Sequence, residues 1–309
     1  MYFNRDGGNF MKKKLTAQDI LFHILNYTFF AFFTLICLFP FYYIMINTIS
    51  NNDLVAKGMV VFYPREIHFT NYLEVMKIKG FGTAAMVTIA RTVIGTVLSM
   101  LGTTFLGYAL TRQELWLRKV WYRFVVVTMY FSAGMIPWFI TMKNLGLTNN
   151  FLGYIIPGII APFSLILFKT YVESIPASLE ESADLDGAGY LTKYFRIIIP
   201  LTKPILATII VFSAVGHWNS FIDTVFLMTD SSLYTLQYVL FQYLNEANSL
   251  ADTLKSMAEQ GVSVDVSRLL TPTAVKMTVS MVVVIPILCV YPFFQKYFVG
   301  GIMIGAVKG

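Results

Sequence analysis

Six stretches of this chain run 19 residues or longer without a single Lys, Arg, Asp or Glu, and the first, Ile20 to Asn52, is 33 residues long. A helix needs about 20 mostly apolar residues to cross the hydrocarbon of a bilayer. Inside that hydrocarbon the backbone must bond to itself, which leaves helices as the form such runs take. The other five are Thr92 to Thr111, Phe124 to Met142, Asn144 to Phe168, Pro204 to Ile222 and Met277 to Gln295. The expected fold is therefore an all-α integral membrane protein with six transmembrane helices, at about 21–48, 84–111, 120–142, 151–173, 205–228 and 274–298. Composition agrees: only 13% of residues are charged and the mean hydropathy is +0.64, against about 25% charged in soluble domains.

A cleaved signal peptide is the alternative for the first run, because Lys12, Lys13 and Lys14 precede it. Its apolar region is far longer than the roughly 7–15 residues of a signal sequence and no small-x-small cleavage site follows, so it reads as an anchor. Residues 1–20 form a polar segment before it, in which Met11 is an alternative start. Cys37 and Cys289 both fall in apolar stretches, which offers no disulfide framework.

The net charge of +6 is gathered in clusters rather than along a basic stripe, which argues against nucleic acid as a partner. The clusters orient the chain instead. Lys and Arg gather on the cytoplasmic side of membrane proteins, so Arg5 with the three lysines, and Arg112, Arg118, Lys119 and Arg123, mark cytoplasmic segments. The connection 229–273, with a net charge of −3, is then external. Both termini fall in the cytoplasm. In the first external connection, 49–83, Pro64, Tyr72 and Leu73 suggest a short surface helix; in the last, Leu233, Leu236, Leu240 and Leu244 have helical spacing. Neither reads as a separate domain.

The cytoplasmic connection 174–203 has punctuation of its own. Ser178 followed by Glu181 has the spacing of a capping box, and Gly187 is the left-handed residue that ends a helix. A two-turn helix results, too short to stand alone. A second helical segment follows from about Leu191 to Pro200. Here Glu181-Ser182-Ala183, then Gly187, Ile197, Ile199 and Pro200 at fixed spacing resemble the coupling-loop signature of permease subunits of binding-protein-dependent ABC importers, Glu-Ala-Ala, three residues, Gly, nine residues, Ile-x-Leu-Pro. Ser182 and Ile199 depart from it by small changes in volume. The C-terminal stretch from Tyr291 to Gly309 and the Trp218-Asn219 pair are similar to the carbohydrate-uptake branch, to which the smaller permease of the maltose transporter belongs; the closest likeness is to its polysaccharide and oligosaccharide subgroup.

That resemblance implies a type I ABC importer permease fold over residues 21–309, in the bacterial cytoplasmic membrane. It implies a coupling helix with Glu180, Glu181, Ser182, Ala183, Asp186 and Gly187 docked in an ATPase cleft, where both glutamates meet donors and Ala183 allows close approach; Ile199 and Pro200 complete the loop. It implies a heterodimer with a second permease, two ATP-binding subunits, an external sugar-binding protein, a sugar or oligosaccharide substrate, and a tail, Val307, Lys308 and Gly309, inserted between the ATPases. ATP and Mg would sit on the partner subunit. The sequence itself has no G-x-x-x-x-G-K-[ST] loop, so this chain carries no nucleotide site of that kind.

Ionisable and polar groups inside the spans are candidates for function because they are costly in lipid. Asp223 falls one turn after Asn219 in the fifth span, next to Trp218 and His217. Trp218, Asn219, Asp223 and Trp138 are the expected substrate path: indoles stack on a pyranose and polar groups meet its hydroxyls. Holding a helix end is the plainer role for Asp223. Arg91 reads as an ion-pair partner of a carboxylate on the second permease, or as a snorkelling side chain. His217 reads as an interior histidine, and Gly134 with Pro137 as a bend. Two other functions compete. An ion-coupled secondary transporter would show internal repeats and more intramembrane carboxylates, and an integral-membrane enzyme would show a catalytic or metal cluster. His23, His68 and His217 are scattered without metal-ligand spacing.

Overall fold

A computed structural model describes residues 16–245, 276–289 and 292. The expected tail contacts, Val307, Lys308 and Gly309, lie outside these residues, as does most of the last external connection. Helix α1 (Ala17–Thr48) starts on a capping box in which Asp19 N donates to Thr16 Oγ1 and Thr16 N donates to Asp19 Oδ2. It is apolar on every side, and only Ile46, Asn47 and Thr48 are buried. A helix left uncovered along most of its length by the described residues fits a setting where lipid is the solvent.

Two short helices, α2 (Asn52–Ala56) and α3 (Thr70–Lys77), follow in the first connection. Asn71 fixes them by donating to Thr48 O and exchanging hydrogen bonds with Asn52. The core is built on α4 (Phe81–Ala109), 29 residues without a proline. Its glycines let neighbours come close: a Cβ on Gly102 would meet Ile159, and one on Gly107 would meet Phe168.

The third, fourth and fifth passes are broken. The third expected span consists of α5 (Arg118–Tyr130) and α6 (Met135–Asn144), separated at 131–134, where Gly134 sits at φ +88°. The fourth is two 3₁₀ turns, Phe151–Tyr154 and Ile156–Gly158, then α7 (Pro162–Glu173) at 41°. After the surface helix α8 (Ser178–Leu185) comes α9 (Tyr190–Leu201), which meets α10 (Lys203–Asn219) at 85°. The corner has two causes: residues 194–198 widen into a π-helical turn, and Pro200 has no N–H to bond back along the helix. The fifth span breaks again after Asn219, where Ser220 is extended, and resumes as α11 (Ile222–Leu227). Helix α12 spans 236–245 and α13 spans Lys276–Cys289.

Two apolar clusters mark the ends of α4. Phe81 and Ala84 pack with Val75, Leu236, Val239, Val279 and Val283 at its start. At its end Tyr108 packs with Phe168, Tyr194, Ile198 and Leu206.

Candidate functional site

The first site is the surface helix α8. It does not begin with the expected capping box: Ala177 occupies the cap with helical angles and no side-chain bond. The backbone bonds from Leu179 N to Pro176 O and from Glu180 N to Ala177 O start the turn one residue early, so Ser178 lies inside the helix and Glu181 stays exposed. The C-terminal end is as expected. Gly187 is left-handed at φ +75°, and Gly187 N donates to Asp184 O while Ala188 N donates to Ala183 O, the paired bonds of a Schellman cap.

Glu180 and Ala183 face inward rather than outward. Glu180 forms a bidentate ion pair with Arg112, three residues beyond the end of α4. Arg112 lies 4.6 Å from the centroid of the Tyr108 ring and also donates to Thr111 Oγ1. Burial alone lowers the Arg112 pKa, but the hydrogen bond to Glu180 and nearby negative charge more than reverse this, so it stands above its ordinary value. Ala183, 8% exposed, packs on its own chain, which corrects its expected place against a partner. Asp184, at the other end of α8, accepts from Lys193 Nζ at 2.6 Å. Next to it Tyr194 Oη lies 2.7 Å from Thr104 Oγ1. Helices α4, α8 and α9 thus form a clamp. The outward face of α8 is Leu179, Glu181, Ser182, Leu185 and Asp186, with Leu185 91% exposed. Ile199 packs on the apolar cluster below, and Pro200 is exposed at the corner.

The second site is a cavity of about 370 Å³ where the breaks in α5/α6 and α10/α11 meet α4. Arg91, Trp138, Tyr154, His217, Ser220 and Asp223 line it, and a second cavity beside it shares Trp138, Ser220 and Asp223. Arg91 is 1% exposed and pairs with Asp223 of its own chain, Nη2 to Oδ2 at 2.5 Å and Nη1 to Oδ1 at 3.2 Å. This replaces the expected carboxylate on a second permease. The guanidinium also donates to Ser220 O and lies 4.3 Å from the Tyr154 ring centroid. Such pairing is the usual way an intramembrane charge is tolerated.

Of the four residues expected on a substrate path, the structure brings together Trp138 and Asp223. Trp218 does not line the cavity: its Nε1 donates to Val283 O at 3.0 Å on α13. Asn219 accepts from Gln237 on α12. The shared face assumed for Asn219 and Asp223 is lost because the helix breaks between them. His217 faces the cavity, seated against Gly95 and Gly158. Tyr154, and Arg112 as the partner of Glu180, went unread in the sequence; opposite charges in two separate spans were the signal that could have paired Arg91 with Asp223, while nothing distinguished Arg112 among the cytoplasmic cations. Among the described residues no group of His, Cys, Asp and Glu is placed to hold a metal.

A helical subunit with an open cavity of mixed polar and apolar lining at its helix breaks and a clamped helix at one end suits a transport component. Residues 99–304 match the family model described as the binding-protein-dependent transport system inner membrane component, and the chain belongs to that family. It is a permease subunit, not an enzyme. It is 34% identical over 292 residues to the polygalacturonan/rhamnogalacturonan transport system permease protein YtcP of Bacillus subtilis (strain 168), covering 94% of this chain and all of that one. A crystal structure of a bacterial ABC transporter involved in the import of the acidic polysaccharide alginate is similar with a TM-score of 0.79 and 34% identity, over 92% of this chain and 98% of that one. The fold is accordingly that of an ABC importer permease. A bacterial alginate ABC transporter in complex with an alginate pentasaccharide-bound periplasmic protein shares the fold at a TM-score of 0.51 and 15% identity, over 91% and 96% of the two chains.

Proposed function

We propose that this chain is one half of the translocation path of an ATP-driven saccharide importer, paired with a second permease, two ATP-binding subunits and an external saccharide-binding protein. The observation that carries the reading is the division of α8 into two faces. Glu180, Ala183 and Asp184 hold it to its own chain, while Leu179, Glu181, Leu185 and Asp186 are offered outward. An apolar residue as exposed as Leu185 beside two exposed carboxylates suits a cleft with an apolar floor and basic rim on an ATPase subunit. ATP and Mg belong to that partner.

The saccharide class rests on the relatives, whose names specify polygalacturonan/rhamnogalacturonan and alginate. The cavity has the chemistry for it: Trp138 offers a ring face for stacking on the apolar side of a pyranose, and Asp223 with Ser220 and His217 meets hydroxyl groups. The chain would sit in the cytoplasmic membrane with its termini and α8 in the cytoplasm, as its cationic clusters require.

The test is purification of the tagged chain from its native membrane in mild detergent. Recovery of an ATP-binding subunit with the native chain, and its loss when Glu181→Ala and Leu185→Glu are combined, supports the reading. Recovery without such a subunit, with uptake intact in ATP-depleted cells, overturns it.

A further inference from the structure

Helix α4 is the continuous member of the described core. The passes around it are interrupted at 131–134, at the 3₁₀ turns before α7, at the 85° corner before α10 and at Ser220. An unbroken helix transmits displacement along its axis, whereas a broken one bends at its joints. It carries an ion-paired arginine towards each site. Arg91 holds Asp223 at the cavity. Arg112 holds Glu180 on α8. From Arg91 to Ala109 the helix rises about 27 Å, at about 1.5 Å per residue.

We propose that Arg112 is the positioning residue that makes α8 and α4 move as one piece, so that displacement of α8 reaches the Arg91–Asp223 pair at the cavity. The inference rests on reading α8 as the helix that docks on the ATPase. Helix α8 has several routes into the core. One is direct, through the Arg112–Glu180 fork. The others pass through intervening segments: residues 174–177 into α7, and Asp184 and Lys193 into α9, whose Tyr194 bonds Thr104 of α4 and whose path onward into α10 crosses the π-helical turn and the corner. A bidentate arginine–carboxylate pair fixes direction as well as distance. The stacking of Arg112 on Tyr108 and its bonds to Thr111 Oγ1 fix the guanidinium to the end of α4. Without the fork, α8 stays attached to α4 through the intervening segments of α7 and α9, and less of a stroke at α8 reaches α4.

The experiment uses the complete transporter reconstituted in vesicles, with uptake and ATP hydrolysis measured in the same preparation. Arg112→Glu and Glu180→Arg are each expected to lower saccharide imported per ATP hydrolysed by about 5- to 150-fold, the usual size of a coupling between sites, while the ATP-binding subunits still co-purify. The double exchange, which restores the pair with its charges swapped, is expected to recover most of that ratio. An unchanged ratio in the single variants overturns the proposal, as does a loss that the double exchange fails to relieve in an assembled complex. Should Arg112→Glu not accumulate, Arg112→Lys keeps the charge and loses the fork; an assembled complex with an unchanged ratio then overturns the proposal, and a lowered ratio supports it. Absence of ATP-dependent uptake in the native complex overturns the importer reading itself, whereas an active native complex with unaffected variants overturns this inference alone.

Discussion

Arg91 and Asp223 are 132 residues apart in sequence and share two hydrogen bonds in a cavity wall. Truncating one member leaves the other charge buried and uncompensated, at a cost of about 3–5 kcal/mol. Asp223→Ala should therefore lower the thermal unfolding temperature of the detergent-solubilised protein, and Arg91→Met with Asp223→Leu should recover part of the loss. A double variant less stable than either single one would show that the pair is not the source of the cost. Gly95 gives a second prediction, from sterics alone. A Cβ there would lie 2.5–2.8 Å from atoms of the His217 ring, so Gly95→Ala should cost about 1–3 kcal/mol. Adding His217→Ala should relieve it, by the same unfolding measurement. At this scale the sequence showed which residues are expensive, because an Arg and an Asp in apolar runs stand out. It did not show their partners. Trp218 and Asn219 looked like path residues by type and adjacency, but Trp218 Nε1 donates to Val283 O and Asn219 Oδ1 accepts from Gln237; such pairings depend on helices distant in sequence.

The element scale divides the same way. Apolar runs located the passes, and Gly187 was legible as the end of α8 because a left-handed residue at φ +75° favours glycine. Replacing it with valine puts a β-branched side chain in that conformation, at a cost of roughly 1–2 kcal/mol, and frees the last carbonyls of α8. Gly187→Val should consequently weaken retention of the ATP-binding subunit in a pull-down while leaving the chain in the membrane; undiminished retention would remove the cap from the docking argument. The interruptions were less legible. Gly134 and Pro137 pointed to one of them, but Ser220 is chemically ordinary and its extended backbone is set by what surrounds it. The start of α8 was misread for a related reason. Ser178 and Glu181 have the right spacing, yet the chain is already helical at Ala177, and Arg112 draws Glu180 inward.

For the whole molecule, the two ends of α4 can be placed on opposite sides of the membrane by geometry independent of charge counting. Thr88 Oγ1 accepts from Leu236 N near the start of α4, next to the 3₁₀ turn Ser231–Leu233. Arg112 binds α8 beyond the other end. From Thr88 to Ala109 the helix rises about 32 Å, roughly the thickness of the hydrocarbon core, so residues 231–233 and α8 face different compartments. Arg112 and Arg118 meet at the α8 end, where Arg118 donates to Thr111 O, and cations are what the cytoplasmic side proposed for that end would carry. In a background with Cys37 and Cys289 replaced by serine, Leu185→Cys should react with a membrane-impermeant maleimide in inside-out vesicles and stay unlabelled in right-side-out ones, and Ser231→Cys should do the reverse. Labelling of both from one side would break the span assignment of α4. A clean inversion of the pattern would keep the fold but place α8 outside, away from any ATPase, and the importer reading would fall with it.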